Sequence, residues 1–155
     1  MSAPSAATKQ AMAAAVLWFL AELGLSTQYH LPGLLRIKGA FDIESFRKTL
    51  AYIIDRHESF RTGFESLEGV AIQVVHQNYD LPFELVDLSE MEEPAKTEEV
   101  DKRKFQLSNG EFDMSKPPLL RAMIIKLSPD ECVLGLCMHH IISDGWSINI
   151  LISEI

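Results

Sequence analysis

The sequence has few basic residues and no long apolar run. Lys and Arg number 14 against 22 Asp and Glu, which leaves a formal net charge of −8. Nucleic-acid binding sites need clustered positive charge to face the phosphates, so this imbalance argues against a nucleic acid as a partner. No stretch approaches the roughly 18 uninterrupted apolar residues that a membrane span requires. We therefore expect no contact with a membrane.

Cysteine is also scarce. Cys132 and Cys137 are the two cysteines, and both lie in one apolar run. We predict that they pack as small apolar side chains rather than form a disulfide framework. That usage suits a reducing compartment, so a cytoplasmic location is expected.

The chain is nevertheless long enough, at 155 residues, for one domain with a hydrophobic core. No internal repeat or low-complexity segment divides it. Residues 1–10 are mostly small and polar, and we predict a disordered lead there. Residues 11–155 are expected to form the folded unit.

Apolar periodicity predicts a mixture of helices and strands. An amphipathic first helix should run over residues 11–23, ended by Gly24. Asp42 is a good N-cap for a second helix, which carries one apolar stripe: Phe46, Leu50, Ile53 and Ile54. The remaining predicted elements are strands at 34–38, 60–65, 71–76, 85–88, 119–127 and 131–138, and helices ending near residue 106 and at 146–155. This order favours an α/β (α+β) fold, a two-layer sandwich with a mixed, mostly antiparallel sheet and helices packed on it.

The chemistry-bearing segment is His139-His140-Ile141-Ile142-Ser143-Asp144-Gly145, which follows an almost continuously apolar strand. Such a strand is usually central and buried on both faces. Because neighbouring strand positions face opposite sides, one histidine should point into a pocket and the other into the core. Histidine titrates near neutral pH and is the usual general base. Asp144 could orient a ring or pair with an arginine, and Gly145 could allow close approach of another backbone.

Other interpretations of this segment remain open from the residues alone. A metal site built from His139, His140 and Asp144 is disfavoured, because adjacent histidines diverge on a strand and no further ligand follows at the usual spacing. A Ser143-His140-Asp144 triad is disfavoured, since triads are assembled from distant segments. Two histidines that serve only as hydrogen-bonded core residues fit the pattern about as well as a catalytic pair does.

Three ordered motifs resemble one known family. The segment 138–147 resembles the His-His-x-x-x-Asp-Gly signature of condensation domains of nonribosomal peptide synthetases. Arg56-His57-Glu58-Ser59-Phe60-Arg61-Thr62-Gly63-Phe64 resembles the family's Arg-His-Glu-x-Leu-Arg-Thr-x-Phe motif, and Leu17-Trp18-Phe19-Leu20 resembles the core of its first motif. The resemblance covers about residues 16–155.

The resemblance implies roles for individual residues. His140, the second histidine of the signature, would be catalytic, and the backbone N–H of Gly145 would donate to the developing oxyanion. Asp144 would be a structural aspartate that pairs with an upstream arginine, with Arg61 as the first candidate and Arg56 as the second. His139 and Trp146 would shape the site, Trp146 by packing the loop or lining the channel.

The same resemblance implies the reaction and the partners. The family forms amide bonds between a donor acyl thioester and an acceptor aminoacyl thioester. Both are delivered on the phosphopantetheine arms of carrier-protein domains, so no cofactor or metal is expected to bind directly. The residues around Asp144 look most like the subtype that joins two L-configured residues.

Two departures from the family are visible. Ala13-Ala14-Ala15-Val16 stands where the family carries Ser-x-Ala-Gln and then Arg. Family members are also much longer, with two lobes related to chloramphenicol acetyltransferase and the active site between them. The chain resembles the first lobe alone, so we expect a fragment that is inactive without its C-terminal lobe and that self-associates through the exposed lobe interface.

Two other functions compete with this one. A coenzyme A-dependent acyltransferase of the related His-x-x-x-Asp-Gly superfamily would make esters or amides, although the Arg-His-Glu segment favours the synthetase family. A lone lobe could also serve as a non-catalytic scaffold or a docking module for carrier proteins.

Overall fold

The computed structural model describes the backbone of residues 6–143 and the side chains of residues 13–143. Three helices lie in this part of the chain: α1 (Ala6–Glu22), α2 (Ile43–Arg56) and α3 (Ala95–Asn109). Six strands accompany them: β1 (His30–Lys38), β2 (Thr62–Leu67), β3 (Val70–Val75), β4 (Phe83–Asp87), β5 (Leu120–Ser128) and β6 (Glu131–His139). None of the described helices is long and apolar enough to cross a membrane.

Four of the strands form one mixed sheet in the order β1-β6-β5-β4. Strand β6 pairs antiparallel with both β1 and β5, whereas β4 pairs parallel with β5. Strands β2 and β3 form a separate antiparallel hairpin, whose turn places Glu68 and Gly69 at positive φ. The sheet is therefore mixed and mostly antiparallel, as predicted, and the apolar strand β6 is central.

Helix α2 shows why the sequence folds locally as it does. The Asp42 carboxylate accepts a hydrogen bond from the backbone N–H of Ser45 at 3.0 Å, which satisfies one of the free donors at the helix start. The four residues of the predicted stripe are all buried against the sheet. Both the cap and the stripe are confirmed.

Helices cover both faces of the sheet. Consecutive residues of β5 show this, because Ile124 belongs to the apolar cluster under α2, and Ile125 belongs to the cluster under α3. The predicted α/β fold class with a mixed sheet is confirmed, with the difference that there are three layers instead of two. The reason is that β5 and β6 are apolar on both sides and each side needs a covering layer.

Several boundaries differ from the prediction. Helix α1 begins at Ala6, inside the segment predicted to be a disordered lead, because alanine-rich sequence favours helix strongly. It is also less amphipathic than predicted, since Val16, Phe19 and Leu23 are each more than half exposed. Strand β1 begins at His30 rather than at residue 34. The predicted helix at 146–155 lies outside the described residues.

Candidate active site

Strand β6 delivers the two histidines to the end of the sheet. It is buried along most of its length and ends at His139, and a short 3-10 turn follows at His140–Ile142. The side chain of His139 is 0% exposed, whereas His140 is exposed to solvent. The two rings thus diverge, as the alternation of strand positions predicts.

His139 holds the turn that carries His140. Its backbone N–H donates to the carbonyl of Leu119 at 2.9 Å, and its Nδ1 accepts from the backbone N–H of Ile141 at 3.1 Å. An imidazole nitrogen that accepts a hydrogen bond carries no proton, so the neutral ring has its proton on Nε2. That Nε2 is buried and has no hydrogen-bond partner among the described residues.

An aromatic cluster surrounds the His139 ring. His30 lies opposite His139 in the β1–β6 register, with the ring centroids 5.7 Å apart. Phe112 contacts both imidazoles edge-on, at 4.9 Å from His30 and 6.2 Å from His139. The guanidinium of Arg121 lies 4.0 Å from the centre of the Phe112 ring, which is a cation–π contact.

The cluster favours neutral imidazoles. Burial, followed by the nearby His30 and His140, lowers the pKa of His139 to about 4. Burial also lowers the pKa of His30, against the opposing effect of its Nδ1–H bond to the Ser108 carbonyl at 2.9 Å. At neutral pH the His139 ring is uncharged and keeps its acceptor on the Ile141 N–H. It can therefore serve as a fixed support, and His140 is the histidine of the pair that is open to solvent.

His140 opens onto an apolar cleft of about 450 Å³. The other described residues that line this cleft are Ala13, Val16 and Leu17 of α1, together with Tyr29. The first motif and the His-His segment, distant in sequence, are brought together here. The cleft thus has the His140 imidazole and an apolar face of α1 along its wall.

Of the two candidate arginines, Arg61 is held by backbone carbonyls at the end of α2. Arg61 donates three hydrogen bonds to backbone carbonyls, those of Ile54, Asp55 and His76, at 3.0–3.3 Å. These bonds join the C-terminal end of α2 to the end of β3. Arg56 is the last residue of α2 and is exposed. A guanidinium has five N–H donors, so these three bonds leave Arg61 able to donate to a further acceptor. Pairing of Arg61 with Asp144 therefore stays a prediction.

The remaining predicted site residues, Asp144, Gly145 and Trp146, lie outside the described residues. Within the described part of the chain, no group of three or more His, Cys, Asp and Glu side chains could hold a metal ion. Cys132 and Cys137 are buried free thiols, as predicted.

Four residues around the two histidines were not predicted from the sequence: His30, Phe112, Arg121 and Tyr29. The strand that places His30 opposite His139 was predicted to start later, because Pro32 and Gly33 interrupt its pattern. Proline is tolerated there since β1 is an edge strand. The pairing of β1 with β6 was the signal needed, and it cannot be read from local periodicity.

Comparison with known proteins gives one consistent family. The family model described as "Condensation domain" matches residues 10–155. Chondramide synthase cmdD of Chondromyces crocatus is 38% identical over 139 residues, which are 89% of this chain and 4% of that protein. Cyclosporin synthetase simA of Tolypocladium inflatum is 37% identical over 155 residues, which are 97% of this chain and 1% of that protein.

Solved structures show the same fold. A variant of the starter condensation domain of rhizomide synthetase RzmA aligns with a TM-score of 0.78 at 18% identity, over 92% of this chain and 34% of that one. The first condensation domain of the calcium-dependent antibiotic synthetase aligns with a TM-score of 0.70 at 21% identity, over 88% and 33%. The chain thus spans about a third of those structures and a few per cent of the curated synthetases.

Proposed function

Because this chain belongs to the condensation-domain family, we propose that it supplies the histidine-bearing lobe of a nonribosomal peptide synthetase condensation domain. The whole domain joins a donor acyl thioester to an acceptor aminoacyl thioester through an amide bond. Both substrates arrive on phosphopantetheine arms of carrier proteins, which are the partners of this lobe. The observation that carries the proposal is the exposed His140, held at the end of a buried central strand by the neutral His139.

The reaction needs a group that positions the amine and accepts its proton, and a donor that stabilises the oxyanion, and a rigid loop can provide both. The acceptor amine attacks the donor carbonyl, a C–N bond forms, the C–S bond breaks, and the amine proton passes finally to the departing thiolate. His140 holds the amine in line for attack and takes up its proton as general base. Gly145 contributes its backbone N–H to the oxyanion in this proposal.

His139 contributes by geometry and not by proton transfer. Its ring is completely buried, and its Nδ1 is occupied by the Ile141 N–H, one residue beyond His140. Hydrogen bonding on both sides of His140 fixes the turn, since the Ser143 N–H also donates to the His140 carbonyl at 3.3 Å. A catalytic group fixed in this way loses little entropy when the substrate binds.

The proposal is tested by complementation. The chain is mixed with donor and acceptor carrier proteins loaded with thioesters, with and without the C-terminal lobe of a complete family member. We expect product only when the second lobe is present. His140→Ala should then reduce the rate by at least about a hundredfold, which is the usual contribution of a general base.

The matched control is His57→Ala, the same change at a histidine that follows α2. It should retain activity. Product that persists in His140→Ala would contradict the proposed role of His140. No product with the second lobe, although the two parts bind each other, would favour the scaffold alternative.

A further inference from the structure

The cleft beside His140 has walls of one chemical type. Ala13, Val16 and Leu17 stand at i, i+3 and i+4 on α1, so they share one face of the helix. Tyr29 and His140 are the only polar residues among the described residues that line it. The described lining therefore offers no lysine, arginine, aspartate or glutamate to a bound group.

We infer that this cleft is the subsite for the apolar chain of a thioester substrate, and that Val16 determines its specificity. The inference rests on the proposed function, which it deepens by naming the substrate class. The cleft has a volume of about 450 Å³ and is open to solvent along one side. Its opening beside His140 places the end of a bound chain next to the reacting group.

Desolvation provides the selectivity. An aliphatic or aromatic chain gains affinity by leaving water, up to about fourfold for each buried methylene. A chain that ends in a carboxylate would lose its hydration against the alanine, valine and leucine side chains without gaining an ion pair from them. The cleft thus favours apolar chains in two ways: it binds them more tightly as they lengthen, and it binds charged chains weakly.

Val16 is the position where this selectivity is most easily changed. Its side chain is 57% exposed and lies in the cleft wall, so a longer residue can be accommodated without disturbing the core. Val16→Arg keeps good helix propensity while bringing a charge into the wall. Leu67→Arg is the matched control, because Leu67 is 60% exposed on the β2–β3 hairpin and does not line the cleft.

Binding is measured by NMR on the 155-residue chain, at a concentration at which sedimentation velocity shows a monomer, from the imidazole signals of a selectively labelled His140. The probes are acyl-pantetheine thioesters of increasing length, from acetyl to octanoyl, and a succinyl thioester as the charged member. We expect dissociation constants to fall by up to about fourfold for each methylene until the cleft is filled. The succinyl probe should bind at least about tenfold more weakly than butanoyl.

In Val16→Arg the dependence on chain length should flatten, whereas Leu67→Arg should behave as the unmodified chain does. Ala13→Leu provides a second variant, which fills the cleft and should shift the preference to shorter chains. A parallel series of aminoacyl-pantetheines with linear side chains shows whether the donor or the acceptor uses the subsite. A dissociation constant independent of chain length, unchanged binding in Val16→Arg, or no binding of any probe would overturn the inference.

This outcome is separable from the fate of the proposed function. Product formation that depends on His140, without any preference for apolar chains, would remove the subsite and leave the function standing. If apolar probes bind in the cleft but no product depends on His140, the subsite stands and the proposed function is contradicted.

Discussion

The two adjacent histidines have opposite surroundings and therefore opposite properties. His139 is sealed beneath Phe112 and His30, and burial holds its pKa near 4. His140 faces an open cleft. A buried neutral imidazole is an acceptor of fixed direction, so His139 is suited to holding the turn, and the exposed His140 is suited to the reactive role proposed for it.

The buried His139 should make the protein less stable in mild acid. Above about pH 7.5 the ring is neutral in both the folded and the unfolded chain. As the pH falls from there towards 4, the unfolded ring takes up a proton that the folded ring does not, so the free energy of unfolding decreases. Between about pH 7.5 and about pH 4.5 the loss from this residue should be about 2–3 kcal/mol, measured by urea unfolding.

His139→Asn isolates this contribution. The asparagine oxygen can replace Nδ1 as acceptor for the Ile141 N–H but does not titrate. The variant should lose less stability than the unmodified chain over the same pH interval, while carboxylates of lowered pKa, such as Asp87 and Asp113, act equally on both. Equal losses in the two proteins would show that His139 is protonated in the folded state.

The divergence of the histidines follows from sequence, but the cause of their different environments does not. Alternation along a strand requires His139 and His140 to point apart. Which of the two is buried depends on Phe112 and His30, which come from distant segments. Arg61 is the opposite case. It follows the C-terminal end of α2, and its bonds to the carbonyls of that end could be predicted from the preference of cations for helix C-termini.

At the scale of elements, the hairpin packs closely against the loop before β5. A Cβ added at Gly63 would lie 2.9 Å from the Ser115 carbonyl oxygen and 3.0 Å from Pro117 Cδ. The neighbouring Phe64 N–H donates to the Met114 carbonyl at 2.8 Å. A backbone carbonyl and a proline ring leave little freedom for rearrangement, so glycine is required at this contact.

Gly63→Ala should therefore destabilise the fold by about 1–3 kcal/mol, since a close-packed contact must open. Gly33→Ala is the matched control in β1, where an added Cβ has nothing within 4 Å. That change should be neutral or stabilising by up to about 1 kcal/mol. Urea unfolding of both variants gives the comparison, and similar stabilities for the two would contradict the packing argument.

Sequence patterns predicted the elements best where a local device fixes them. Asp42 caps α2, a single apolar stripe defines its buried face, and Glu68-Gly69 closes the hairpin. The start of β1 was missed because its residues are poor strand formers held in place by the partner strand β6. The third layer, in which α3 covers the second face of the sheet, was not predicted. An apolar pattern on both faces of a strand does not indicate which helix covers each face.

At the scale of the whole molecule, α1 leaves apolar surface uncovered. Val16 and Phe19 stand at i and i+3 on α1 and are 57% and 58% exposed, and Leu23, the first residue after the helix, is 58% exposed. A helix that is apolar both towards the core and towards solvent normally packs on two sides. This face is suited to contact with another protein surface.

The isolated chain should therefore self-associate through α1. Sedimentation velocity over a range of concentrations should show a shift from monomer to larger species, and Phe19→Lys should shift it back towards monomer. Leu67→Lys is the matched control, since it changes an equally exposed leucine on the hairpin. A monomer that persists at high concentration would contradict this prediction, as would equal effects of the two variants.

The β1–β6 pairing has a consequence for the order of folding. The strand that carries the histidines lies between β1, near the beginning of the described chain, and β5, its immediate predecessor. During synthesis β1 stays unpaired until β6 has left the ribosome. Contacts between segments this distant in sequence also form slowly, because the long loop between them must first be closed. His30 and His139 are partners in that last pairing. The support under His140 is thus assembled at the end of folding, and nascent chains remain without a formed site until the sheet is complete.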